Sequence, residues 1–143
     1  MKINLLTPGY SVSAQLCEAD FATLKAEGFK TVICNRPDEE IEPPLHAKFM
    51  QAEAARLGIA LIYNPVSSRG FTMPNVDTQA EAIDNAEKPI LAYCRSGTRS
   101  TVCWALVHAN RLPVDEIITT AARAGYDIGK LRPQLEAMAE EEA

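Results

Sequence analysis

Four short apolar runs do most to limit how this chain can fold: "KINLL" (2–6), "KTVICN" (30–35), "GIALIYNPV" (58–66) and "KPILAYC" (88–94). Each has the length of a strand, is rich in β-branched and aromatic residues, and is bounded by Gly, Pro or Asn. They show little of the in–out alternation of a half-exposed sheet. A strand of that kind is covered on both faces, which is the habit of a parallel sheet sandwiched between helices. The segments between the runs carry helical spacing. "EADFATLKAEG" places Phe21 and Leu24 on one side and stops at Gly28, as a helix ending on a C′ glycine does. "PLHAKFMQAEAARLG" spaces Leu45, Phe49, Ala52 and Leu57, and "NVDTQAEAIDNA" spaces Val76, Ala80 and Ile83. Further on, Val102, Leu106 and Ala109 recur at helical intervals, Val114, Ile117, Ile118 and Ala121 follow Pro113, and Leu131, Leu135 and Met138 mark a last helix. The expectation is one α/β domain over residues 1–143, a three-layer α/β/α arrangement around a mostly parallel sheet of four or five strands.

In such a sheet, ligands bind beyond the carboxyl ends of the strands. Asn35-Arg36-Pro37-Asp38 follows the second run, Ser67-Ser68-Arg69-Gly70 the third, and Cys94-Arg95-Ser96-Gly97-Thr98-Arg99-Ser100 the fourth. The chain carries a formal charge of −5, yet it sets four arginines on this one edge. The cysteine loop carries the clearest chemistry. Gly97 permits positive φ and a tight curl, so successive N–H groups can turn inward as an anion-binding nest. The helix opening near Thr98 adds free amides and its positive dipole end. Arg99 adds a planar fork for an oxyanion. All favour negative charge at the centre, and the first one available is a thiolate on Cys94. Surroundings of this kind lower a thiol's pKa from about 8.5. The same donors would hold an anionic substrate against the nucleophile. The candidate catalytic residues are therefore Cys94 and Arg99. Candidate binding residues are Arg95, Ser96, Gly97, Thr98, Ser100, Arg36 and Arg69.

Composition excludes several classes. The acidic balance argues against nucleic acid as the main partner. No apolar run reaches the length of a membrane span, and the start, "MKINLLTPGY", lacks the form of a signal peptide. The four cysteines, Cys17, Cys34, Cys94 and Cys103, form no C-x-x-C pair, which points to free thiols and a cytoplasmic setting. No glycine-rich nucleotide fingerprint is present, His46 and His108 lack partners at metal-ligand spacing, and no cofactor is implied.

"CRSGTRS" resembles the active-site loop of single-domain rhodaneses, which are sulfurtransferases. It is also similar to the signature loop of cysteine-dependent protein phosphatases, where Ser or Thr follows the arginine. "GYSVSAQ" (9–15), "GFKTVICNRPDEE" (28–40), "YNPVSSRGFT" (63–72) and "KPILAYCRSGTRS" (88–100) together resemble a third group over most of residues 1–110. This is the bacterial phosphatase-like domain found fused in beta-lactamase hydrolase-like proteins. The resemblance implies a cysteine-phosphatase-like fold. Because fused members accompany persulfide-oxidising domains, it also suggests sulfur chemistry and a persulfide-oxidising or redox partner.

Three departures from the phosphatase pattern favour sulfur. Only four residues separate Cys94 from Arg99, where such phosphatases have five. Tyr93 replaces the usual histidine before the cysteine. The loop at residues 64–72 has no carboxylate to protonate a leaving alkoxide, and Asp77, the nearest, reads as a first-turn helix residue. The leading expectation is a sulfurtransferase, with Cys94 taking the outer sulfur of thiosulfate or a persulfide. The alternative is a phosphoester hydrolase working through a Cys94 phosphocysteine, which the Ser100 match supports. A non-catalytic anion-binding module is the third reading. Among the other candidates, Cys34 and Cys103 read as core, with Cys34 close enough to the expected site to resolve a Cys94 intermediate. Trp104 and Tyr63 read as packing. Asp38, Glu39, Glu40 and Glu42 read as a solvated loop, with a role near the site left open.

Overall fold

A computed structural model describes residues 1–141. Five strands form one sheet: β1 (Asn4–Thr7), β2 (Tyr10–Ser13), β3 (Thr31–Cys34), β4 (Ala60–Tyr63) and β5 (Ile90–Tyr93). Their order is β1-β2-β5-β3-β4. β1 is antiparallel to β2, and the other pairings are parallel. The described residues also form six α-helices: α1 (Asp20–Ala26), α2 (Ala47–Arg56), α3 (Met73–Asn85), α4 (Thr98–Val107), α5 (Val114–Arg123) and α6 (Arg132–Glu141). None is long and apolar enough to cross a membrane among the described residues.

The expected α/β/α layering is present. In β5, Ile90 and Ala92 face a core built with α3 to α6, while Leu91 and Tyr93 face a second core built with α1 and α2. β3 alternates likewise, Ile33 to the first core and Val32 and Cys34 to the second. Period-two side chains with both faces buried give the continuous apolar runs seen in the sequence.

Two details differ from expectation. β2, "YSVS", was not among the expected strands. Its tyrosine and valine enter the first core, while both serines are buried on the opposite face, so its sequence lacks the apolar run of its neighbours. On α2 the buried face is Ala47, Met50 and Ala54, not the expected row through Phe49 and Ala52. A short 3₁₀ turn at Pro43–Leu45 delays the helix to Ala47, which leaves Leu45 off it and rotates the stripe. Phe49 is exposed, with the Lys48 ammonium 4.9 Å from its ring centre.

The register matters most for function. Ser13, Tyr93, Cys34 and Tyr63 are mutual partners across the four parallel strands. The residues that follow them leave the sheet side by side along a single edge.

Candidate active site

Cys94 comes one residue after β5 and is buried. The chain turns at Gly97, whose φ is +95°, a conformation costly for any residue bearing a Cβ. The turn aims the Gly97 N–H at the Cys94 sulfur, N to Sγ 3.1 Å. Gly97 is also the N-cap of α4, and its carbonyl accepts from the Thr101 N–H at 3.0 Å and the Thr101 hydroxyl at 2.8 Å. A second constraint acts at this glycine. The Tyr126 hydroxyl donates to the Ser96 carbonyl at 3.1 Å and occupies the place a Cβ on residue 97 would take. Asn4 Nδ2 donates to the same hydroxyl at 3.0 Å.

Arg99 lies in the first turn of α4, beside Cys94. Its guanidinium meets Glu40 end-on, Nη1 to Oε2 and Nη2 to Oε1 both 2.7 Å, and Nη1 also donates to the Val66 carbonyl at 2.7 Å. Three of its five N–H groups are used in this way, leaving two for an anion. Arg36 approaches the same carboxylate, Nε to Oε1 3.4 Å, and ties to the Glu40 carbonyl and Gln15 Oε1, both at 3.3 Å. Hydrogen bonding from Arg99, reinforced by Arg36, holds the Glu40 carboxyl below the usual carboxylate range, and Glu40 in turn raises the Arg99 pKa. Glu40 is thus a fixed anion that orients the guanidinium.

Beneath the loop lies a neutral network. Ser100 Oγ donates to Asn35 Oδ1 at 2.9 Å, and Tyr10 Oη donates to the Ser100 carbonyl at 3.3 Å. Gln79 sits at the centre. Its Oε1 accepts from Asn35 Nδ2 at 3.0 Å and Asn64 Nδ2 at 2.8 Å, and its Nε2 donates to Tyr10 Oη at 2.9 Å. All five residues are buried, so each polar group needs its partner. Asn75, within the capping box that starts α3, donates from Nδ2 to Asn64 Oδ1 and the Pro65 carbonyl, both at 2.9 Å. This pins the loop after β4 to the same floor.

Five of the expected site residues, Arg36, Arg95, Ser96, Thr98 and Arg99, line one open cavity together with Glu40 and Ser68. Arg69 lines an adjoining depression with Glu39, Glu40, Ser67 and Ser68. Gly97 shapes the loop and Ser100 faces the network below it. Asp77 is elsewhere, in a groove between α3 and α4. Cys34 is buried, donates to the Arg36 carbonyl at 3.4 Å, and has its pKa raised by burial. Burial pushes the Cys103 thiol up to about 12. The Tyr93 hydroxyl lies at Cys34 and has no nitrogen or oxygen partner among the described residues. Tyr63 is half exposed and accepts from the Asp38 N–H at 2.9 Å, a loop-anchoring contact in place of the expected packing.

Gln79 is a site-forming residue with no signal in the sequence, and Glu40 is one whose role near the site the sequence leaves open. Glu40 was read with a solvated acidic run, and its partner Arg99 lies 59 positions away. Gln79 breaks the apolar stripe of α3 and reads as surface.

This fold and loop define a domain of the cysteine-phosphatase type. Residues 2–111 match the family described as the phosphatase-like domain of beta-lactamase hydrolase-like protein, and the chain belongs to that family. A beta-lactamase hydrolase-like protein of Xylella fastidiosa (strain Temecula1) is 30% identical over 132 residues, covering 91% of this chain and 31% of the relative. The chain spans about a third of the length of the curated relatives it matches. A crystal structure of a candidate phosphatase from Neisseria meningitidis Z2491 is 36% identical, with a TM-score of 0.84, covering 96% of this chain and 99% of the other. Kinase associated phosphatase, crystallised with its catalytic-site cysteine changed to serine, shares the fold at 12% identity and a TM-score of 0.76, covering 99% and 95%. These relationships favour phosphoester chemistry over the sulfur transfer first expected. They lend no support to thiosulfate, a persulfide donor or a redox partner.

Proposed function

We propose that this chain hydrolyses phosphomonoesters through a covalent phosphocysteine on Cys94. The observation that carries the reading is the pairing of two features around one sulfur. The Gly97 amide points at Cys94 Sγ, and an arginine already oriented by Glu40 lies beside it with two N–H groups free. Donors fixed before substrate arrives stabilise charge without reorganisation, and phosphoryl transfer depends on such positioning.

In the first step the Cys94 thiolate attacks phosphorus. An S–P bond forms, the ester P–O bond breaks, and the leaving oxygen keeps the electron pair. The amides at the start of α4 and the Arg99 guanidinium hold the equatorial oxygens. In the second step water attacks the phosphocysteine, the S–P bond breaks, and inorganic phosphate leaves the regenerated thiolate. Glu40 contacts the guanidinium, not the substrate, and acts as a positioning residue.

Incubation with p-nitrophenyl phosphate, with rapid acid quenching and intact mass analysis, tests the reading. Turnover with a transient gain of one phosphoryl group, both lost in Cys94→Ser, is the expected result. A stable gain of one sulfur from thiosulfate, with no Cys94-dependent phosphate release, would replace it with sulfur transfer.

A further inference from the structure

The phosphatase reading leaves open which leaving group the site can expel, and the charges around the loop restrict it. Expelling an alkoxide needs a protonated acid within reach of the ester oxygen, an aid worth about 10²–10⁴-fold. The only carboxylate lining the cavity over the loop is Glu40, and both its oxygens are bound to Arg99. Asp38 is committed through Oδ1 to the Ala47 N–H at 2.8 Å. The loop after β4, which lines the cavity through Ser68, offers serine and arginine in place of an acid. Among the described residues, the exposed carboxylates near the rim are Glu39, in the depression beside Arg69, and Glu42, in a neighbouring cavity shared with Arg36 and Glu40; neither lines the cavity over the loop.

The cations divide the opposite way. Arg36 and Arg99 are tied to Glu40. Arg95 and Arg69 are exposed on the rim, and among the described residues neither guanidinium is in an ion pair or a side-chain hydrogen bond. Ser68 lines both cavities and so sets Arg95 and Arg69 on one continuous rim, with Glu39 and Glu40 in the depression beside Arg69. No aromatic side chain lines either cavity, so there is no stacking wall for an aryl ester.

We infer that the site is built for phosphoanhydrides, substrates whose leaving group is itself a phosphate held on Arg95 and Arg69. This deepens the phosphatase reading and rests on it. The Cys94 sulfur bonds to the terminal phosphorus as the bridging P–O bond breaks. The electron pair departs with the bridging oxygen, which becomes an oxygen of the released phosphate. A phosphate group is already an anion near neutral pH, so it leaves with the electron pair and needs no acid. Water then cleaves the S–P bond, returning the thiolate and a second phosphate, and its proton passes to that phosphate or to solvent.

The test compares inorganic tripolyphosphate, phosphoserine and p-nitrophenyl phosphate on the wild type, Glu39→Gln/Glu42→Gln and Arg69→Ala/Arg95→Ala. The expected kcat/KM for tripolyphosphate exceeds that for phosphoserine by at least about 100-fold, the contribution of the missing acid. The double glutamine variant leaves that ratio unchanged. The double arginine variant, altered only at exposed positions, raises KM for tripolyphosphate about tenfold more than KM for p-nitrophenyl phosphate. Phosphoserine turned over within tenfold of tripolyphosphate, or phosphoserine activity lost in the double glutamine variant, would overturn the inference and leave the phosphatase intact. No hydrolysis of any of the three would remove both.

Discussion

Two neighbouring parallel strands of this protein each bring a cysteine to the carboxyl edge of the sheet. β3 ends at Cys34 and β5 is followed at once by Cys94, and Cys34 is the register partner of Tyr93. Both thiols are buried, and an arginine follows each within a few positions. Yet Cys34 is turned into the core beside Phe21 and Leu91, gives its S–H to the Arg36 carbonyl, and is held as a thiol by burial. Cys94 instead receives an N–H from Gly97 and lies by Arg99. The difference arises in what comes next. After Cys34 the chain passes through Pro37 into a short 3₁₀ turn. After Cys94 it curls through a positive-φ glycine into a helix N-terminus. On the proposed reading, the backbone that follows a strand-end cysteine is what separates a nucleophile from a structural thiol, since burial by itself works against ionisation.

The sharpest way to break the comparison is to remove each sulfur. Cys94→Ser is expected to lower kcat/KM on p-nitrophenyl phosphate by at least about 10³-fold, while Cys34→Ala stays within about threefold. Steady-state kinetics on the two variants decides it, and equal losses would mean that Cys34 shares the chemistry. Next in size is Gln79→Leu, which strips the partners that join the two strand ends through Asn35 and Ser100. Buried amides left unpaired cost about 1–3 kcal/mol each, so the denaturant midpoint should fall by the equivalent of about 3 kcal/mol.

Gly97→Ala sharpens the role of the curl. A left-handed residue with a Cβ costs about 1–2 kcal/mol, and here the Cβ also meets the Tyr126 hydroxyl. Phosphate affinity by calorimetry should drop about tenfold or more, and Tyr126→Phe in the same chain should restore part of it. A double variant no better than Gly97→Ala would show that backbone strain alone is at fault. The smallest expected effect is that of Glu40→Gln, about 1–2 kcal/mol in unfolding free energy at neutral pH. The native arginine pair holds the Glu40 pKa below its ordinary value. Its stabilisation is therefore complete above about pH 4.5 and is lost as pH falls through the depressed value. The gap in denaturant midpoint between wild type and Glu40→Gln should close on acidification, and a constant gap would count against the ion pair as its cause.

Much of the fold and the heart of the loop were legible because their causes are local. Period-two apolar runs between helical stripes require a covered parallel sheet, and β3, β4 and β5 lie where those runs stand. Gly97 next to a helix start dictates a curled loop around Cys94, and both the positive φ and the N–H to sulfur contact follow. β2 was not legible, since half its side chains are serines whose burial depends on neighbours supplied elsewhere in the chain.

The sequence by itself determined the layered α/β architecture and a thiol placed at a helix N-terminus, because strand period, glycine conformation and helix capping act over a few residues. Only the tertiary structure decided what surrounds that thiol. Glu40 reaches Arg99 across 59 positions, Tyr126 packs on a loop 30 residues before it, and Gln79 closes a network with Tyr10 from 69 positions away. Such contacts depend on which strands are neighbours and where their carboxyl ends line up, and no local pattern of residue types encodes that alignment.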